Sequence, residues 1–513
     1  MSMQGRSKGQ VVGVDLGTTN SVVAYLDAAG VPTSLVNFEG HVTTPSKVLI
    51  DGTQVLVGIE AQKGASQSAA NYAELFKRHM GQDAFPRSVG GHIWRPEALS
   101  AFVLKRLAQD VRRRLGEVGP AVITVPAYFD DCRRRATYQA AAIAEWEVFD
   151  LINEPTAAAL AFAHQTGKKI ADHAGKEYVL VFDLGGGTLD ATVLEIDRGR
   201  EYRTIATDGE VQLGGHDWDA RLRTHLAELF RKQTGIDPLE TERGQLEFLQ
   251  LAERVKRTLS DKEVAQAPCK YAGKAAVLKV ERQTFDTLTA DLVARCRSMA
   301  ELVLHQAGRQ WSDIQTVLAV GGSTRMPMIR RMLESLWGKP PNQSLSVDEA
   351  VAHGAAIYAK LKAADSGVRV VNVNSHSYRV LARRSNGETF AKCMIAKNSP
   401  LPASASHVFT VKPHGSGARK IEVYEGEDED PEFCLRIGKV VVDELNLNGD
   451  RSWLVQVKIA CREDGNLKVA AAVRESDGKK IVKQLSVTLE PSHGMTASQV
   501  EAARAHVSSF TIS

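Results

Sequence analysis

At 513 residues, with 43% hydrophobic and 24% charged side chains, the chain is long enough for more than one domain of ordinary globular composition. Its net charge of +3 argues against a nucleic-acid or membrane partner, and it has no apolar run long enough to span a bilayer. Six cysteines without C-x-x-C spacing exclude a disulfide frame or zinc cluster, and the polar start MSMQGRSKGQ lacks a signal's apolar core, so a cytoplasmic location is expected.

Val11–Leu26 reads as an apolar strand ended by Asp15, a turn through Gly17, Thr18 and Thr19, and a second strand opening at Asn20. Short strands are expected at Pro45–Ile50 and Gln54–Gly58, and helical spacing at Gln67–Met80. Leu99–Leu115 predicts a basic amphipathic helix whose Arg112-Arg113-Arg114 run is a solvated face. A buried strand at Ala121–Tyr128, a helix at Asp131–Glu145 and a strand at Val148–Ile152 lead to a helix with Pro155 in its first turn.

The opening pattern then recurs. Tyr178–Ile196 is again strand, Asp183, a turn of Gly185-Gly186-Gly187-Thr188, and strand. Small turn residues let phosphate oxygens approach backbone N–H groups, so two such hairpins imply two lobes sharing one nucleotide. Neither is a P-loop, and neither contains a cation; the charge facing the phosphates must come from elsewhere.

Helices follow from Gly214-Gly215-His216 onward and at Phe248–Ser260, where Glu253, Lys256 and Ser260 share one face. A buried strand at Val317–Val320 ends in Gly321-Gly322-Ser323, a helix starts near Met328, and Asp348–Lys362 is a small-residue helix suited to close packing. Composition shifts at Ala363–Gly367. Alternating strands then run to about residue 490, with turns at Asn386-Gly387, Asp464-Gly465 and Asp477-Gly478, and one short helix is expected at Thr496–Val507.

Read together, VDLGTTNSVVA, VITVPAYFDDCRRRAT, INEPTAAALA, VFDLGGGTLDATVLEI, LGGHDWDARL, AERVKRTLS, AVGGSTRMPMI and DEAVAHGAAIY resemble the heat-shock chaperone family of the DnaK type, within the actin-like ATPase superfamily. The resemblance implies an α/β, two-lobed actin-like ATPase domain (11–362), a linker (363–373), a smaller all-β sandwich that binds polypeptide (374–490), and a truncated lid helix and tail (491–513). It also implies ATP or ADP with magnesium as ligands. Asp15 and Asp183 would hold the ion, mostly through water. Gly17, Thr18, Thr19 and Asn20 would line one phosphate turn, and Gly185, Gly186, Gly187 and Thr188 the other. Lys77 would contact the γ-phosphate and the attacking water, Glu154 would orient that water, and Asp190 would lie near it. Adenosine would lie among Gly214, Gly215, Glu253, Lys256, Arg257, Ser260, Gly321, Gly322, Ser323, Arg325 and Asp348. Pro126 and Arg134 match residues that relay nucleotide state between the lobes.

Departures from the family pattern are informative. His216 stands where a glutamate is usual and receives no role. The linker keeps apolar residues as VRVVNV, 368–373, that can dock as an edge strand. In the sandwich the usual arch segment reads LARRSNGE, and Arg419 replaces an apolar cleft position two residues before Ile421; Phe409 and Ile421 match cleft-lining positions. Asp150 stands where a basic residue commonly meets a J-domain, which weakens that contact. The implied function is an ATP-hydrolysing chaperone for unfolded or extended polypeptide, with J-domain and nucleotide-exchange partners. The alternative is an actin-like ATPase whose β-domain binds one native partner, with Arg384 and Arg419 favouring an acidic ligand. A small-molecule kinase would need a catalytic carboxylate and sugar pocket that the motifs do not supply.

Overall fold

The computed structural model describes residues 9–166, 175–197, 200–364, 366–411, 419–442, 453–462, 467–474, 481–488 and 494–513. The turns expected at Asp464-Gly465 and Asp477-Gly478 lie outside the described residues.

In the first lobe, β1 (Val12–Asp15) and β2 (Asn20–Leu26) form the opening hairpin, flanked by β3 (Pro32–Ser34) and β4 (Thr44–Pro45) on β2. A second small sheet contains β5 (Lys47–Asp51), β6 (Gln54–Val57) and, after α1 (Ile59–Gly64), β7 (Tyr72–Glu74). The α-helix expected over Gln67–Met80 does not form. Its middle is β7, whose Tyr72 and Ala73 are buried in pairing with β5, and only short 3₁₀ turns flank it at 69–71 and 76–79. Leu75 turns the chain in the left-handed region, at φ 60°, and sends Lys77 towards the cleft. Sheet pairing outweighs the local helical period here.

The lobe continues through α2 (Pro96–Leu115), β8 (Ala121–Val125), α3 (Asp131–Ile143), β9 (Val148–Asn153) and α4 (Glu154–Gln165); β8 lies parallel to both β1 and β9. Arg112, Arg113 and Arg114 on α2 are exposed, as a solvated face requires.

The second lobe repeats the plan with β10 (Lys176–Leu184), β11 (Leu189–Asp197) and β12 (Glu201–Glu210). α5 (Gly215–Thr234), α6 (Glu242–Asp261), the hairpin β13 (Val264–Tyr271) and β14 (Lys274–Glu281), α7 (Arg282–Leu288) and α8 (Ala290–Gln306) build its outer part. β15 (Thr316–Val320) lies parallel to β10, and α9 (Pro327–Trp337) follows. α10 (Ala350–Ala363) returns across the first lobe. There Gly354 permits an approach so close that a Cβ would meet the Ala157 carbonyl oxygen at 1.7 Å, and one on Gly13 would meet Ala356 N at 2.3 Å. β16 (Arg369–Val371) then adds to the edge of β12 in parallel, giving the order β15-β10-β11-β12-β16.

Two four-stranded sheets make the sandwich. β17 (Tyr378–Arg383), β18 (Thr389–Ile395), β20 (Arg419–Glu425) and β21 (Leu435–Val442) order as β18-β17-β20-β21. β19 (Ala403–Val411), β22 (Trp453–Cys461), β23 (Leu467–Arg474) and β24 (Ile481–Thr488) form the other sheet in that order. Alternation sets the core: Val455, Val457, Ile459 and Cys461 on β22 face inward with Leu467, Val469, Ala471 and Val473 on β23. Ile421 is buried with them and Phe409 packs against them. Arg384 bonds Glu388 and Glu429 and covers the Phe390 ring, so it is not held out for an acidic ligand. The side chain of Arg419 lies outside the described residues.

The final helix, α11 (Ala497–Ser508), does not lie over the sandwich as a lid. It packs on α2 and α3 of the first lobe, and β25 (Thr511–Ile512) pairs in parallel with β6. Among the described residues no helix is long and apolar enough to cross a membrane.

The sandwich docks on both lobes. Lys397 reaches Asp208 at 2.7 Å, the Asn398 side chain accepts from Thr207 N at 3.0 Å, and Ser375 donates to the Phe129 carbonyl at 3.0 Å. Glu425, buried on β20, faces the start of α3. Burial first, then Asp130 and Asp131, push its carboxyl well above the usual range, with the Asp131 N–H and Arg133 pulling the other way. An acid with a raised pKa holds a proton that the unfolded chain has lost, so this group's contribution to stability falls as pH rises above the ordinary glutamate range. Glu425→Gln, neutral throughout, should flatten that slope and stabilise the chain at pH 8 by roughly 1 kcal/mol or more, a few degrees in Tm. Melting curves at pH 5.5 and 8 check this; a variant less stable at pH 8 would mean that Glu425 is buried charged.

Candidate nucleotide site

The two glycine turns meet across the cleft. A Cβ on Gly186 would lie 2.2 Å from Thr19 Cγ2, and one on Gly187 would lie 2.2 Å from Thr18 Cγ2. Only glycine lets the second-lobe turn approach the first-lobe threonines this closely. Backbone bonds fix the turns themselves: Gly185 N to Thr188 O at 3.0 Å, Gly215 N to Gly185 O at 3.0 Å and His216 N to Gly186 O at 2.9 Å. Ser46 holds the first turn through Gly17 O at 2.7 Å, and Asn20 begins β2 directly after it.

Behind the turns lie the charged groups. Lys77 Nζ and Glu154 Oε1 are 2.7 Å apart and both are buried. Asp15 ends β1 and accepts from Thr124 at 3.0 Å; Asp190 accepts from Tyr128 N at 3.1 Å and pairs across the hairpin with Asp183. Burial first, then the Glu154 charge, pushes Asp15 and Asp190 each up to about 7, and Asp183 well above its usual range. Burial works to lower the Lys77 ammonium, but Glu154 and Asp15 outweigh it and hold it above the ordinary lysine value. Four carboxylates thus share one buried lysine, a set that carries more negative charge than its own cation offsets. The donors are all hard oxygens, which suits magnesium, yet among the described residues no three of them converge to hold an ion directly. The carboxylates therefore fit an ion held through water.

The residues expected around adenosine come together in part beside these turns. A Cβ on Gly215 would lie 2.4 Å from Ser323 Oγ and 3.0 Å from Lys256 Nζ, and one on Gly322 would lie 3.3 Å from Asp348 Oδ1. Gly214 packs on Gly187, and Gly321 takes φ +80° beside Asp183 and Leu184. Lys256 bonds Gly215 O at 3.0 Å and Asp219 at 2.7 Å, and Glu253 holds Arg257 at 2.6 Å. Arg325 holds Asp348 at 2.8 Å near the surface. Ser260 is brought less fully into the set, since its hydroxyl bonds its own helix at Lys256 O, 3.2 Å away. His216 lies partly buried beside Glu74 and Arg78, its imidazole pushed down by burial.

Several contributors escaped the sequence reading. Arg78 crosses the cleft, donating to Gly187 O at 2.8 Å and to Asp217 at 2.6 Å; the basic pair Lys77-Arg78 was its one sequence signal. Thr124, Tyr128 and Asp219 hold Asp15, Asp190 and Lys256, and their partners are distant in sequence. Arg134 joins the Phe129 carbonyl to Asn153, the residue before Glu154, and Asn153 donates onward to Asn372 of the linker at 3.3 Å.

Two lobes sharing paired glycine turns, with a β-sandwich docked beside them, define an actin-like nucleotide-cleft protein with an appended β domain. The profile of the Hsp70 protein family matches residues 11–89 and 85–511. The chaperone protein DnaK of Thermosipho africanus is 38% identical over 434 residues, which is 82% of this chain and 70% of that protein. The DnaK of Thermotoga petrophila is 39% identical over 429 residues (81% and 70%), and that of Halobacterium salinarum 34% over 500 residues (96% and 77%). The chain belongs to the Hsp70 family, and it is a chaperone of the DnaK type.

The charge balance has a direct consequence. Lys77→Ala leaves Glu154 buried among three aspartates, and breaking a buried pair from one side costs about 3 kcal/mol. Removing Glu154 as well should return part of that loss. Denaturant unfolding of the two single variants and the double variant measures the coupling; additive losses would mean that the pair is not coupled.

Proposed function

We propose that this chain binds ATP between its lobes, hydrolyses it to ADP and phosphate, and couples the state of the cleft to the sandwich's hold on extended polypeptide. One observation carries the reading: a buried lysine–carboxylate pair lies beneath two glycine turns that meet across a cleft. Phosphoanhydride hydrolysis needs chiefly in-line positioning and charge stabilisation, which these groups supply in kind. Backbone N–H groups of both turns, with Thr18, Thr19 and Thr188, would cradle the phosphates. Lys77 would meet the γ-phosphate and the attacking water; Glu154, kept in place by Lys77, would orient that water, with Asp190 beside it. Magnesium, held through water by Asp15 and Asp183, would neutralise phosphate charge. Glu253, Lys256, Arg257, Ser260, Ser323, Arg325 and Asp348 would receive adenosine along the glycine surfaces of 214–215 and 321–322.

Two bonded routes support coupling to the sandwich. Asp190 bonds Tyr128 N, and the Tyr128 ring lies against His376 and under Lys397, which is paired with Asp208. The Arg134–Asn153–Asn372 route links the start of the Glu154 helix to the linker. Clients would be unfolded or extended segments, with J-domain and nucleotide-exchange proteins as partners and the cytoplasm as the location. Asp150, which is bonded to Lys362 and Tyr358, replaces the usual basic residue with a carboxylate that would face a J-domain aspartate, so stimulation should be weak. The rival reading, a module for one native acidic partner, loses the support of Arg384, whose charge is satisfied within the sandwich.

The test is single-turnover hydrolysis with magnesium. Lys77→Ala should keep most nucleotide binding, because the backbone contacts remain, and lose hydrolysis by about 10²-fold or more. Equal rates for parent and variant would remove Lys77 from the mechanism.

A further inference from the structure

Where the sandwich meets α3, a carboxyl group is shut away from water without a partner. Glu425 ends β20, is 3% exposed, and neither of its side-chain oxygens has a hydrogen bond. Two more carboxylates face it from the first lobe, Asp130 at the cap of α3 and Asp131 in its first turn. The cations of that helix are already engaged. Arg133 is paired with Asp130, Arg135 holds Asp131 at 2.6 Å, and Arg134 donates to the Phe129 carbonyl and to Asn153. On the sandwich side, Arg379 gives its guanidinium to the backbone carbonyls of Ala391, Gly426 and Glu427. Tyr378 stands opposite Glu425 on β17, its hydroxyl bonded with Cys461 of β22. Burial first, then Glu425, hold that hydroxyl well above its ordinary value, so Tyr378 stays neutral.

An ionised Glu425 is therefore a buried charge beside two like charges, with no cation of its own. Burial first, then Asp130 and Asp131, oppose its ionisation more than the Asp131 N–H and Arg133 favour it. Asp131 is raised by burial too, but it keeps Arg135 beside it. Both opposing aspartates belong to the first lobe, and each side of the interface has a core of its own. Parting the two sides returns the carboxyl to water and removes both aspartates, which brings it back towards an ordinary glutamate. The seated state thus binds the proton more tightly. Seating is fully favoured below the ordinary glutamate range and loses that support as pH rises through the raised value.

We propose that Glu425 is a proton latch: its protonated carboxyl lets the sandwich seat on α3, and its ionisation loosens that contact while both domains stay folded. Alkaline conditions then release this part of the interface, and acidic conditions close it. The latch rests on no step of ATP hydrolysis, since Glu425, Asp130 and Asp131 are outside the nucleotide set.

Hydrogen exchange of the full chain without nucleotide, followed from pH 5 to pH 8, tests this. Residues 126–136 have the same sequence in the parent and in Glu425→Gln, so intrinsic exchange rates cancel when the two are compared at one pH. Exchange of this segment should be within about fivefold in the two chains at pH 5. At pH 8 the parent should have become faster by a further tenfold or more, since linkage to one proton changes the seating equilibrium by up to about tenfold per pH unit. Glu425→Ala, which has neither a carboxyl nor an amide, should keep a ratio to Glu425→Gln that does not change with pH. Residues 222–230, in the core of the second lobe, should show no divergence between parent and variants. A parent-to-Gln ratio that stays constant, or moves the other way, would overturn the proposal. So would an Ala-to-Gln ratio that drifts as the parent's does. Equal divergence at 222–230 would overturn it as well, because the proton would then govern unfolding of the whole chain rather than seating of one domain.

Discussion

Four carboxylates and one lysine behind two glycine turns, all buried except the half-buried Asp15, are the constraint on which the rest of this molecule depends. Asp15, Asp183 and Asp190 end or begin the central hairpin strands, so the sheet register of both lobes delivers them to one place. Glu154 arrives at the first turn of α4, and Lys77 arrives from a turn that Leu75 forces into the left-handed region. Such a set is not satisfied by its own lysine. In the proposed function that excess is met by a cation together with an anion that spans both turns.

The same groups set the limits of the surrounding structure. Gly186 and Gly187 must remain without side chains because Thr18 and Thr19 stand where a Cβ would be. Tyr128, whose N–H holds Asp190, is also the residue that meets His376 and Lys397 of the sandwich, so one residue touches both the cleft floor and the domain interface. Asn153, at the start of the Glu154 helix, plays the same part towards the linker. Membership of the Hsp70 family accounts for the two-lobed plan with its sandwich.

Much of this was legible in the sequence because it is written in short local patterns. The paired D-L-G turns, the small-residue helix at 350–363 and the alternation in the sandwich each state their own structure. Gln67–Met80 misled because its helical period was local, whereas the pairing of Tyr72 and Ala73 with β5 was not. Arg78, Thr124, Tyr128 and Asp219 carry no motif; each matters through a partner far along the chain, which only the fold brings near. The tail gives the clearest case. The apolar stripe of α11 was readable as a helix face, but nothing in it says that the face belongs to α2 and α3 rather than to the sandwich beside it in sequence.

The central claim is that the cleft is incomplete in charge until a cation and a phosphate chain arrive together. Calorimetric titration of the chain with ATP, once with magnesium and once with chelator, tests it most directly. Phosphate without the ion would enter against the charge of Glu154 and against the part of their charge that Asp15 and Asp190 keep at pH 8, so ATP should bind at least about tenfold more weakly with chelator, a difference of ~1.4 kcal/mol. Equal affinity with and without magnesium would contradict the account.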